Sequence, residues 1–158
     1  AIFIPASGDT LPSLAPLFPY YEADTQAVKF MGLSGWDYIG VGKEAALQGG
    51  WFAAPDPKGW QEFTKRYAET YGDTPPRLAS LSYDAVSLAI SLSSNPPGQR
   101  FAAAELTRSS GFQGVDGLFR LRPDGTAERG FAIMEVQRSG NQPIDAAPSA
   151  FGTAVAQY

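Results

Sequence analysis

Cysteine and histidine are both absent from the 158 residues. Without them the chain has no disulfide, no thiolate or imidazole metal site, and no Ser-His-Asp or Cys-His nucleophile system of its own. No bound metal and no cofactor are therefore expected, and no residue is assigned a catalytic role. Basic runs are missing too. Lys and Arg number 12 against 16 Asp and Glu, a net charge of −4, which argues against nucleic acid as a partner. No apolar run approaches the roughly 20 residues of a membrane-spanning helix. An absence of cysteine fits an exported bacterial protein.

What is present suits a folded α/β module. Apolar residues make up 44 %, enough for a core. The chain opens on Ala1-Ile2-Phe3-Ile4, straight into a strand pattern with no initiator Met or signal peptide, and is read as a piece of a longer protein. Residues 1–6 form a short apolar run ended by Ser7-Gly8-Asp9, a buried strand and its turn. Asp9 or Thr10 then caps a helix carrying Leu11, Leu14, Ala15 and Phe18 at helical spacing, which Pro16 and Pro19 kink or end. Val28 to Gly32 is a second strand, residues 38–47 a weak helix, and Trp51 to Ala54 a third strand.

Asp56-Pro57 starts a strong helix with an acidic cap and proline in the first turn. Its apolar stripe is Trp60, Phe63, Tyr67 and Tyr71, flanked by the i,i+4 pairs Glu62–Arg66 and Lys65–Glu69. Leu78 to Ser93 is a second helix whose one charged residue between Ala79 and Ser93 is Asp84. A helix this apolar is expected to be buried on most sides. A short helix covers 102–108. Leu118 to Arg122 and Phe131 to Arg138 pair as a hairpin across Pro123-Asp124-Gly125, a turn with too few oxygen ligands to hold calcium. The alternation of strand and helix implies a parallel sheet with right-handed crossovers.

Four stretches carry a resemblance. Gly49-Gly50-Trp51-Phe52-Ala53-Ala54-Pro55 comes first, then Phe63, Tyr67 and Tyr71-Gly72 with Pro75. Ser82-Tyr83-Asp84-Ala85-Val86 follows, and last Phe112-Gln113-Gly114-Val115-Asp116-Gly117-Leu118-Phe119 ahead of Pro123-Asp124-Gly125. In this order they resemble the later part of the leucine/isoleucine/valine-binding proteins, the type I periplasmic solute-binding family. The stretches Gly49 to Pro57, Pro76 to Val86 and Gly111 to Gly130 are most similar to a branch of lipoproteins that activate penicillin-binding proteins.

The resemblance implies an α/β fold, a partial lobe with a parallel sheet, flanking helices and a C-terminal β-hairpin, with ligand held between two lobes. Residues 1–56 would be βα units of the C-terminal lobe, 57–110 helices belonging or crossing to the other lobe, 111–138 a hairpin returning to the first, and 139–158 a tail. It implies a non-enzymatic periplasmic module, lipid-anchored if its missing N-terminal part carries an anchor. Such a module binds a small polar solute such as an amino acid or amide and serves an ABC permease. The alternative is an interaction module for a penicillin-binding protein.

Candidate ligand residues lie on the loops that follow strands, since open α/β sheets bind ligands beyond the carboxyl ends of their strands. Ser7, Gly8, Asp9 and Thr10 open a helix, whose free N–H groups favour an anion, or form a plain capped turn. Ser34, Trp36 and Asp37 follow the second strand. The resemblance implies an acid near Ser34 to hold a ligand ammonium; here Asp37 is the substitute, and Trp36 is either a cleft wall or a packing aromatic. Tyr83 is placed near the cleft by the resemblance and in packing by its helix position. The apolar helix 78–93 calls for a cover: a second copy, its own strands, or an upstream fragment. The first is the expectation, a symmetric homodimer through residues 57–93.

Overall fold

The computed structural model describes residues 1–25 and 27–151. They divide into two compact units, Ala1–Pro55 with Phe131–Ala146, and Asp56–Gly130 with the segment from Ala147 onward.

The first unit is built on a five-stranded sheet, in spatial order β1 (Ile2–Ile4), β2 (Phe30–Gly32), β3 (Trp51–Ala54), β7 (Ala132–Glu135) and β8 (Gln142–Asp145). Strands β1 (Ile2–Ile4), β2 (Phe30–Gly32) and β3 (Trp51–Ala54) are parallel neighbours, with Ile4 opposite Gly32 and Gly32 opposite Phe52. The connection from β1 to β2 holds two single-turn helices, α1 (Leu11–Leu14) and α2 (Leu17–Tyr20), divided at Pro16, which lacks the N–H a continuous helix needs. Leu11, Ala15, Phe30, Leu47 and Phe52 are buried together with Ala132 and Met134 of β7 and Val136 just past its end, alternate residues along the chain. That period of two marks the strand face turned to the core.

Residues 38–47 differ from the expected helix. They form two 3₁₀ turns, Val41–Lys43 and Ala45–Leu47. Gly40 stands at φ 108° ahead of the first, outside helical space, and neither turn has a side-chain cap.

The second unit holds α3 (Pro57–Tyr71), α4 (Ala79–Ser93), α5 (Ala103–Leu106) and a three-stranded antiparallel sheet of β4 (Phe112–Gly114), β5 (Gly117–Leu121) and β6 (Ala127–Arg129). The Asp56 carboxylate accepts from the Lys58 N–H at 2.9 Å and Gly72 closes α3 at φ 74°, the acidic start and glycine stop its sequence announces. Neither i,i+4 pair on α3 forms an ion pair; the Arg66 guanidinium lies 5.6 Å from the Tyr83 ring centre instead.

Two further expectations are corrected. The hairpin of 118–122 with 131–138 is replaced by two separate pairings. After Pro123-Asp124-Gly125 the chain returns at once as β6 on β5, while β7 pairs antiparallel with β3 in the other sheet. The turn explains this. Gly125 sits at φ 84°, Asp124 Oδ1 accepts from both the N–H and the hydroxyl of Thr126, and the Arg122 N–H reaches the Thr126 carbonyl at 2.8 Å. So tight a closure brings the return strand in at Ala127, and Phe131 is already past it. The stretch from 139, expected as a tail, contains an edge strand, β8 (Gln142–Asp145), antiparallel to β7; its exposed residues lack the alternation that would have marked it. The tail's last residues, 152–158, lie outside the described residues.

Helix α4 is not buried on most sides. Ser80, Asp84 and Leu92 are its buried residues, and Leu88 and Leu92 pack with Phe112 and Phe119 on the small sheet. The helix thus has a sheet partner for one face and leaves the other open. On the covered side the Val115 N–H donates to Asp84 Oδ1 at 2.8 Å, while buried Oδ2 has no partner. Burial pushes the Asp84 carboxyl up from its ordinary range against the lowering effect of the Val115 bond, and Asp116 nearby adds to the rise. A raised carboxyl stabilises the fold fully below its unfolded pKa of about 3.9 and loses that contribution as pH climbs through the raised value. Accordingly, the stability of the native protein minus that of Asp84→Asn is expected to fall as pH rises from 4 to 7. Urea midpoints of both proteins across that range test it, and a difference that is flat or rising sinks the idea.

Candidate ligand-binding edge

Because β1 and β2 are parallel and in register, the loops that follow them leave the sheet at the same edge. The Gly8 N–H donates to the Gly35 carbonyl at 3.1 Å. A side chain at Gly35 would stand 3.1 Å from Ser7 Cβ, and one at Gly8 3.0 Å from the Tyr38 ring. Small residues at these two places let the loops touch.

Trp36 supports both. Its ring is fully buried, 6.3 Å from Phe52, and lies so close over Gly32 that no Cβ fits there. The indole N–H donates to the Ile4 carbonyl at 3.2 Å, tying the second loop to the end of the first strand. Of the two roles open to Trp36 from sequence, the structure shows the packing one.

The remaining residues carry the polar surface. Ser7, Asp9, Thr10, Ser34 and Asp37 are exposed along this edge. The Ser7 carbonyl accepts from the N–H groups of both Thr10 and Leu11, at 3.0 and 2.8 Å. These are the donors an anion at the helix start would use, and α1 is a single turn with Thr10 at its N-cap position and no side-chain cap, so the expected cap from Asp9 or Thr10 does not form. Hydroxyls and carboxylates without a cation among these five favour hydroxyl, amide or ammonium donors.

Asp37 is held from a distance. Asn141 Nδ2 donates to its Oδ1 at 3.1 Å, across 104 positions of sequence, and Oδ2 has no hydrogen-bond partner among the described residues. Asn141 Oδ1 and the Tyr38 hydroxyl are buried without partners. Burial raises the Tyr38 hydroxyl pKa, with Glu44 adding to it, so Tyr38 stays a neutral donor. Sequence reading missed Tyr38 and Asn141: one looked like the start of a helix, the other like tail.

Tyr83 is in the second unit, on α4. Its ring packs 5.2 Å from Phe63 and lines, with Tyr67 and Tyr71, a cavity of about 350 Å³. Sequence reading also missed a buried polar cluster in this unit. Arg77 reaches both oxygens of Asp116, at 2.8 and 3.0 Å, and its guanidinium sits 4.5 Å over the Trp60 ring. Ser80 Oγ donates to Asp116 Oδ2 at 2.7 Å. Among the described residues no group of three or more carboxylates is placed to hold a metal ion, and no helix is long and apolar enough to cross a membrane.

A parallel sheet with flanking helices and strand-end loops of this kind has the fold of type I periplasmic binding proteins. A putative branched-chain amino acid ABC transporter protein from Rhodospirillum rubrum matches with a TM-score of 0.71 and 21 % identity over 91 % of this chain and 44 % of its own. LivJ of Streptococcus pneumoniae, solved with isoleucine, matches with a TM-score of 0.55 and 16 % identity, covering 92 % of this chain and 44 % of that one. Full-length LpoA of Haemophilus influenzae gives 0.59 and 17 %, covering 92 % and 26 %. The chain therefore spans less than half the length of these structures. The sequence matches no protein-family model and no curated protein.

Proposed function

We propose that the chain is part of a non-enzymatic, exported binding module of the ABC-receptor type, taking a small polar solute such as an amino acid or amide at the strand-end edge of its first unit. The observation that carries this is the pair of touching loops with Asp37 oriented by Asn141, one carboxylate oxygen engaged and the other without a protein partner. Asp37 then supplies the anionic acceptor for a ligand ammonium that the neutral Ser34 hydroxyl does not, and Ser7, Asp9 and Thr10 add further polar contacts. The setting is periplasmic, and an ABC permease receives the solute.

Titration calorimetry of the purified protein with a panel of amino acids and their amides tests this. Saturable binding is expected, weakened by about 1 kcal/mol in Asp37→Ala, the ordinary worth of one hydrogen-bonded group. Binding that ignores Asp37→Ala removes this edge from the site. A second reading, an interaction module of a lipoprotein that activates a penicillin-binding protein, is favoured by Ser34 standing where amino-acid receptors resembling this chain carry an acid. It gains if no solute in the panel binds.

A further inference from the structure

We draw no further inference here: the strongest candidate, the cavity between α3 and α4 that Arg66, Tyr67, Tyr71 and Tyr83 line, shares its exposed tyrosines Tyr71 and Tyr83 with the open apolar face of α4, and nothing in the structure shows what covers that face.

Discussion

Arg77→Ala is expected to lower the unfolding free energy by about 3 kcal/mol, the low end for removing one partner of a buried ion pair, and Asp116→Ala by only about 1–2 kcal/mol. The inequality follows from burial. The Asp116 side chain is 5 % exposed and that of Arg77 47 %. Without Arg77 a carboxylate remains inside the protein with Ser80 Oγ as its side-chain donor. Without Asp116 the guanidinium turns to water, and the Ser80 hydroxyl keeps the Arg77 carbonyl, 3.2 Å away. The half-exposed arginine is screened, so the pair itself is worth little, and the cost of the first substitution is that of a stranded anion. Arg77→Lys should recover only part of the loss, because an ammonium cannot bridge both carboxylate oxygens and stacks poorly on Trp60. Urea unfolding of the three variants measures this, and equal or reversed costs for the two alanine variants would show that Asp116 finds another partner.

The difference between Arg77 and Trp36 also shows what could be read from sequence. Parallel strands at Ile2–Ile4, Phe30–Gly32 and Trp51–Ala54 announce themselves as short apolar runs ended by glycine or proline, and α3 by Asp56-Pro57 and Gly72, since these signals are local. The loops after β1 and β2 follow from strand order alone, so the candidate edge was legible as a place. Its working parts were not. Asn141 reaches Asp37 from a segment without periodicity, and the Arg77–Asp116 pair spans 39 positions; nothing in either neighbourhood encodes the other. Residues 118–138 misled because both apolar runs suit a hairpin, and only the tightness of the Asp124–Thr126 turn decides which strand returns. The apolar composition of α4 was visible, but composition does not say which face is covered.

Trp36→Ala is expected to cost about 3–5 kcal/mol of stability, as large aromatic truncations in cores do, and to abolish the proposed solute binding at the same time. The ring fills the space above Gly32 and beside Phe52, and its N–H fastens the loop at 33–37 to the carbonyl of Ile4. Removing it opens a cavity under both loops and releases the bond that sets their spacing, so the polar groups of Ser7, Ser34 and Asp37 lose their common frame. Trp36→Phe keeps most of the volume and loses the donor, an expected cost of about 1–2 kcal/mol with weakened binding. Asp37→Ala forms the contrast: exposed and outside the core, it should change stability by no more than about 0.5 kcal/mol while lowering affinity. Thermal unfolding and calorimetry on the same three preparations separate the roles. A Trp36→Ala protein that melts like the native one but fails to bind would make Trp36 a ligand contact, and the buried strut described above would be the wrong account of it.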